Sequence, residues 1–258
     1  MKDIDRLRNI DDEIFECFQT YLPLIFQSDF KKKFPATFQI FIDYDVSITF
    51  IKNGILDCAD SDNIISLKIL IRSLVEHYLR YKYVFVQWVN SQSDEPAEKY
   101  IIFSSASDQL SNAKAMISEF QLHNPTFKFE KWSEILNQYS KAEIEKEANN
   151  FTYKNIVRFL IKSLKKDTKD GDLNFYSSLV NEYSRLSSYV HGGISAHNEI
   201  REMSLNFKHL DSDILRLTTI GLQASSSVKL FTLLALQKTD NDKYLEYYKR
   251  VSYLISKI

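Results

Sequence analysis

The sequence predicts an all-α protein. Its 258 residues include only 5 glycines and 4 prolines, far fewer turn residues than a β-sandwich or β-barrel of this length would need. Hydrophobic residues make up 44% of the chain, which is enough for an ordinary core, and they recur at helical spacing almost throughout. We therefore expect one helical domain over residues 1–258, built from long helices with few breaks between them.

The first part of the chain predicts three helices. The first runs from Ile10 to Phe30 and contains Pro23, which would bend or split it. Between Phe38 and Leu56 the apolar residues fit both a strand and a helix, and we favour a helix because no partner strand is evident. Capping side chains at residues 61–63 precede a long helix from Ile64 to Val89, which is apolar around much of its girth, as is typical of a central helix.

The remaining chain predicts six further helices. They cover residues 97–120, 131–149, 153–165, 173–190, 213–237 and 242–256. The region from about 97 to 165, rich in Lys and Glu in its first part, is expected to be a helical insertion between two more apolar halves. The segment Lys165–Asp172 is expected to be a hydrophilic loop, and Gly192 with Gly193 to stop the helix before them.

Charge and composition exclude several classes of protein. The net charge of -1 gives no general attraction to nucleic acid or to an anionic membrane, so any nucleic-acid contact must be local. No run approaches the roughly 18 apolar residues of a membrane span, and the charged N-terminus does not resemble a signal peptide. Two cysteines, Cys17 and Cys58, are too few for a disulfide framework. We expect a cytoplasmic protein that does not contact a membrane.

Common cofactor and metal motifs are not found in the sequence. It contains no glycine-rich phosphate loop and no Cys/His cluster with zinc spacing. His191 and His197 flank a Gly-Gly turn and lack a third ligand. We therefore expect no cofactor and no metal site.

A charged stripe follows one face of the predicted central helix. It is formed by residues at four-residue spacing, bordered by Ser73 and His77: Lys68, Arg72, Glu76 and Arg80. One interpretation is an ion-pair ladder on a solvated face, which is common on helices. The other is a cleft, because unpaired charge on a central helix is unfavourable unless it lines a polar site.

A second candidate segment ends the predicted helix 173–190. Arg185 and His191 are six residues apart, and His191 lies in the final turn, where the negative helix end favours a protonated imidazole. An imidazolium beside a guanidinium can bind phosphate and transfer protons. The alternative interpretation is a capping histidine and a surface arginine, since helix C-termini attract both residue types.

These two segments together resemble a known family. R-x-x-x-E at Arg72 and Glu76, with Y-x-x-L-S-x-Y-V-H-G from Tyr183 to Gly192, is similar to a group of uncharacterised bacterial proteins related to the HEPN superfamily of helical bundles. HEPN proteins carry an R-x(4–6)-H motif, and many are metal-independent ribonucleases. They are frequent in toxin–antitoxin, CRISPR-linked and phage-defence systems, and they usually dimerise so that two motifs form one active site.

Two arginine–histidine pairs in the chain match the R-x(4–6)-H motif. Arg185 and His191 match it as R-x5-H, and Arg72 and His77 match it as R-x4-H. We favour Arg185 and His191, because both groups can reach solvent at a helix end.

The resemblance implies a HEPN-like helical bundle and a function. The function would be metal-independent endoribonuclease activity in stress or antiphage defence, carried out by a homodimer and regulated by an antitoxin or another defence-complex partner. His191 would be the general acid or base, Arg185 would stabilise charge on the phosphate, and Arg72 and Glu76 would orient them.

The residues implied to contact the RNA substrate are His77, Tyr183 and Ser187. The alternative function is a non-catalytic helical module that binds a protein partner or a nucleotide within a defence complex. The near-neutral charge favours this alternative, as does Leu186, which stands where catalytic HEPN motifs often carry a polar residue.

Overall fold

The computed structural model describes residues 2–126, 136, 139–164, 170–205 and 210–258. These residues form helices and short connections, and none of them forms a strand. The all-α prediction is therefore confirmed.

The helices of the first part of the chain are α1 (Lys2–Phe26), α2 (Asp29–Lys33), α3 (Pro35–Asp60), α4 (Ile64–Ser91) and α5 (Glu95–His123). Those of the second part are α6 (Lys141–Asn149), α7 (Tyr153–Leu164), α8 (Asp170–Val190), α9 (Ile194–Leu205), α10 (Leu210–Asp240) and α11 (Leu245–Ile255). A short 3₁₀ turn at Asn241–Tyr244 joins the last two.

The structure settles the ambiguous segment of the first part in favour of a helix. Residues 38–56 lie within α3, where Ile40, Ile48 and Ile55 are buried. The first helix begins earlier than predicted, at Lys2. It is not split by Pro23, because the helix ends within a turn of the proline and few hydrogen bonds are lost.

The N-terminus of α3 is capped by a residue from another part of the chain. The Asp94 carboxylate accepts hydrogen bonds from the backbone N–H groups of Ala36 and Thr37 at 2.8 and 2.7 Å. It also accepts one from the Thr37 hydroxyl at 2.7 Å. Asp94 lies between α4 and α5, so this cap fixes that connection against the start of α3.

Two predictions for the second part are wrong. Residues 170–172, predicted as loop, belong to α8, while residues 165–169 of that loop lie outside the described residues, as does most of 131–138. Helix α9 was not predicted. Its only fully buried apolar side chain is Ala196, so its apolar residues give little periodic signal.

Helix α4 lies at the centre of the bundle and packs against α3, α5, α7, α8 and α10. The core is one large cluster, with a small satellite at Leu7, Leu56 and Leu222. Residues between 97 and 164 join the large cluster, among them Tyr100, Ile144 and Ile156.

Helix α10 is long and contains a markedly apolar stretch. The stretch Leu210–Thr239 has the length and hydropathy of a membrane-spanning helix, but 67% of its most apolar window is buried inside the bundle. Core helices of bundles share this composition, and α10 packs against α1, α3, α4 and α11.

Buried lysines pair with carboxylates from other helices. Lys52 of α3 pairs with Asp11 of α1, and Lys68 of α4 pairs with Glu199 of α9. Lys229 of α10 lies 2.7 Å from the Asp45 carboxylate of α3. Because an unpaired buried charge is strongly unfavourable, these three pairs hold α1, α9 and α10 against the central helices.

Candidate functional site

The charged stripe of α4 is largely covered by other helices. The exposed fraction of its side chains rises along the helix, from 0% at Lys68 through 17% at Arg72 and 23% at Glu76 to 29% at Arg80. Residues of α5, α8 and α9 contact it. The stripe is therefore a half-buried polar seam and not a solvated ladder.

Glu76 holds two arginines in this seam. Arg72 donates to the carboxylate at 2.7 Å and Arg80 donates at 3.0 Å. A second Arg72 N–H donates to the Tyr183 hydroxyl at 2.7 Å, and the Tyr183 ring stacks on Tyr153 with 3.6 Å between ring centroids. Burial raises the pKa of the Tyr183 phenol, so it stays neutral and accepts from the guanidinium.

A cavity of about 360 Å³ opens beside Glu76 and Arg80. The hydroxyls of Tyr44 and Tyr100 hydrogen bond there, and Arg80 lies 3.4 Å from the Tyr100 hydroxyl. His77 Nδ1 lies 2.8 Å from the Ser73 carbonyl, which can only accept, so Nδ1 carries the proton. The other ring nitrogen is then an acceptor when the imidazole is neutral.

Arg185 belongs to a second ionic network, which includes Lys68 at the buried end of the seam. Its guanidinium contacts Glu182 at 2.9 Å and Glu199 at 3.3 Å, and Glu199 also accepts from the buried Lys68. Burial alone would raise the pKa of Glu199, but hydrogen bonds to Lys68 and Tyr189 lower it. The Arg185 pKa rises because pairing with Glu182 outweighs burial. Both groups are therefore held in their charged forms.

His191 follows the last turn of α8 and is exposed. Gly192 has φ +62°, and the Gly193 N–H bonds the Ser188 carbonyl at 2.8 Å, which closes the helix end. The His191 side chain forms no hydrogen bond or ion pair with the described residues. Its imidazole is therefore available to a ligand.

The residues before His191 differ in their exposure. Val190 is 42% exposed, whereas Tyr189 is buried. Ser187 donates its hydroxyl hydrogen bond to the Tyr183 carbonyl at 2.8 Å. The Ser187 hydroxyl is therefore held by its own helix.

The structure brings some of the predicted site residues together. Arg72 contacts both Glu76 and Tyr183, and His77 lies on the same helix as Arg72 and Glu76. Among the described residues, Arg185 is connected to this group through Glu199 and Lys68. Lys68 lies one helical turn before Arg72. Among the described contacts, none links His191 to Arg72 or Glu76. The chain therefore has two candidate sites, one beside the seam and one at the end of α8.

Sequence reasoning missed the partners that complete both networks. They are Tyr44, Tyr100, Tyr153, Glu182 and Glu199. Most lie tens of residues away from the groups they contact, so local spacing could not reveal them. Glu182 alone gave a local signal, three residues before Arg185 on the same helix.

No group of His, Cys, Asp and Glu among the described residues could hold a metal ion. Both cysteines are free thiols. No protein-family model matches the chain, and no curated protein or solved structure is significantly similar to it.

Proposed function

We propose that the protein is a HEPN-like, metal-independent endoribonuclease whose general acid–base group is His191. The observation that carries the proposal is the exposed, unpaired imidazole at the end of α8. The turn beside it leaves room for a phosphate at Gly192, because no atom beyond Gly192 and its two chain neighbours lies within 4 Å of a Cβ built there. The resemblance to HEPN proteins supplies the substrate class.

The proposed site requires a second protomer. On a helix, residues six positions apart are separated by about 9 Å along the axis and by roughly 120° around it. Arg185 and His191 of one chain therefore cannot hold the same phosphate while α8 stays helical. A homodimer that joins the ends of α8 would bring His191 close to the other protomer's Arg185. Val190 and Ile194, which are 42% and 78% exposed beside His191, offer apolar surface for that contact.

In the proposed mechanism, His191 removes the proton of an RNA 2′-hydroxyl, which attacks the adjacent phosphorus. The bond between the phosphorus and the 5′-oxygen breaks, and that oxygen takes a proton from the imidazolium form of His191. The products are a 2′,3′-cyclic phosphate and a 5′-hydroxyl. The phosphate displaces one of the carboxylates paired with Arg185, and the Arg185 guanidinium then stabilises the charge on the phosphorane. Arg72 and Glu76 are positioning residues, because Arg72 holds Tyr183 of α8.

Cleavage of total RNA by the purified protein in EDTA tests the proposal. General acid–base catalysis contributes about 10²–10⁴-fold in rate, so His191→Ala should abolish most cleavage while the circular dichroism spectrum is unchanged. Arg185→Ala should also lower turnover. The matched control is His197→Ala, an exposed histidine of α9, which should cleave like wild type. Equal cleavage by wild type and His191→Ala would refute the mechanism.

A second candidate function is a non-catalytic module that binds a nucleotide or a protein partner in a defence complex. It is favoured by the pairing of Arg185 with two carboxylates, since a phosphate must displace at least one of them. A wild-type protein that binds RNA but never cleaves it would favour this candidate.

In either case we propose a cytoplasmic role in stress or antiphage defence, with an antitoxin or another defence protein as the regulating partner. Co-expression with a neighbouring gene product that suppresses toxicity would identify such a partner.

A further inference from the structure

Two depressions meet at the turn between α6 and α7. One is the cavity of about 360 Å³ beside Arg80, which we call the aromatic cavity, bounded by Tyr44, Tyr100, Phe151 and Thr152. The other is a shallower depression of about 550 Å³, which we call the basic groove, bounded by Arg158, Lys162 and three asparagines. Ala148, Phe151 and Thr152 of this turn line the first depression and Asn149 and Asn150 line the second, so an extended ligand that crosses the turn can reach both.

An unbroken row of rings forms the floor between the two depressions. The Phe151 ring lies 5.0 Å from Tyr100 on the cavity side and 5.9 Å from Tyr83 on the groove side. Tyr83 in turn lies 5.0 Å from Phe159. These rings pack edge to face and are mostly buried, so they form the base of the surface. Tyr44 and His77 of the aromatic cavity are only partly buried, and rings of this kind can contact the face of an unstacked base without regard to its sequence.

The basic groove carries two cations, and no carboxylate is among the residues that line it. The Glu147 carboxylate lies beside the groove and accepts from the Asn150 side chain at 3.4 Å. Arg158 donates to the Asn155 side chain at 2.9 Å, and neither Arg158 nor Lys162 forms an ion pair with the part of the chain that is described. Most other cations near the candidate site are paired with carboxylates. The basic groove is therefore the part of this surface where the phosphates of a nucleic acid meet the least repulsion, although the net charge of the chain is close to zero.

The aromatic cavity suits an uncharged ring with both donors and acceptors. Arg80 keeps N–H groups beyond those it gives to Glu76 and Tyr100. The Asp108 carboxylate is exposed at the rim and bonds none of the described residues. The Ser104 hydroxyl lines the cavity, buried and without a partner within the described ranges. A nucleobase presents complementary groups on its edges, whereas a phosphate would meet both Asp108 and Glu76.

We propose that a single strand of RNA binds across this surface, with its phosphates in the basic groove and one unstacked base in the aromatic cavity. The inference rests on the proposed function in taking RNA as the ligand, and it adds where the strand is held. The surface adjoins the Arg72–Glu76 seam, because Tyr153, one residue after Thr152, stacks on Tyr183.

The groove is tested by fluorescence anisotropy with a labelled eight-nucleotide 2′-O-methyl RNA, which cannot be cleaved by 2′-hydroxyl attack. Each phosphate contact adds about 0.7 to the salt dependence of single-strand binding. Arg158→Ala with Lys162→Ala should therefore lower that slope by about 1.4 and weaken binding roughly 25-fold at 0.1 M salt. The control removes two exposed charges of α11 and the C-terminus, Lys249→Ala with Lys257→Ala, and should bind like wild type.

The cavity is tested with Ser107→Trp, whose side chain would fill it. Loss of one stacked base should weaken binding of the same oligonucleotide about 5- to 150-fold. Ser105→Trp, an exposed position two residues earlier on α5, adds the same ring outside the cavity and should leave affinity unchanged. Thermal melts of both variants check that the fold is retained.

Several outcomes would overturn the inference: no binding by wild type, wild-type affinity in the groove double variant, or wild-type affinity in Ser107→Trp. These results are separable from the cleavage assay. Binding that depends on the groove and the cavity without any cleavage would contradict only the proposed catalysis. Cleavage that depends on His191 with unaltered binding in all variants would contradict only the inference about the strand.

Discussion

Glu199→Ala should destabilise the protein by about 2–4 kcal/mol, because it leaves a buried ammonium without its carboxylate. Lys68 is 0% exposed and lies on the central helix α4, whereas Glu199 comes from α9 and is 32% exposed. Removing one partner of a buried ion pair typically costs about 3–5 kcal/mol. We expect a smaller loss, centred on the lower end of that range, since water can enter beside Glu199 and the Tyr189 hydroxyl remains 2.9 Å from the ammonium.

Urea unfolding followed by far-ultraviolet circular dichroism measures this loss, with the free energy of unfolding extrapolated linearly to water. Two variants separate the stranded charge from other causes. Glu202→Ala alters an exposed glutamate of the same helix and should change stability by less than about 0.5 kcal/mol. Lys68→Met combined with Glu199→Ala removes the charge as well as its partner, and should be at least about 1 kcal/mol more stable than Glu199→Ala alone.

The same pair predicts a pH dependence. The pKa of Glu199 is lowered in the folded protein, so the folded state binds fewer protons than the unfolded state. Its contribution to stability is complete above the ordinary glutamate pKa of about 4.3 and is lost as the pH falls through the lower folded-state value. The advantage of wild type over Glu199→Gln should therefore shrink below about pH 4.

Two results would refute this reasoning. A loss below about 1 kcal/mol in Glu199→Ala would mean that Lys68 is hydrated after a small rearrangement. A double variant as unstable as Glu199→Ala would mean that lost packing, and not the stranded charge, causes the effect.

Two further predictions concern the ends of helices. Asp94→Ala should destabilise the protein by about 1–2 kcal/mol in urea unfolding, because three hydrogen bonds to the start of α3 are lost; Glu98→Ala at an exposed position of α5 is the control, and an equal loss in both would contradict the capping role. Gly192→Ala should cost about 1–2 kcal/mol, since φ is +62° and the added Cβ meets no other atom. Gly192→Asn should lose less stability, because asparagine tolerates this conformation. Thermal melts measure both losses, and equal melting temperatures of wild type, Gly192→Ala and Gly192→Asn would count against backbone strain.

The length and order of most helices follow from local sequence. Helix α4 was predicted from Ile64 to Val89 and ends two residues later, and the Asn63 side chain caps it by accepting from the Ser66 N–H at 3.1 Å. Caps and apolar period are local features, so the sequence carries them. Helix α9 escaped prediction because its attachment depends on Glu199, a charged side chain that a hydrophobic pattern treats as solvent-exposed.

The candidate site was predicted only in part, for a related reason. Four-residue spacing placed Arg72, Glu76 and Arg80 on one face of a helix, and the structure confirms that placement. Spacing says nothing about what faces the stripe. Tyr183 is 111 residues from Arg72, and Tyr100 is 20 residues from Arg80. The distinction between a solvated ladder and a polar seam therefore required the packing of α5 and α8.

The three buried lysine–carboxylate pairs also restrict how the helices can be assembled. A slide of α10 by one turn against α3 would move Lys229 about 5 Å from Asp45 and leave both charges inside the core. The same holds for Lys52 with Asp11. Misaligned bundles are thus disfavoured during folding, and replacing one member of a pair without its partner lowers the stability of the fold.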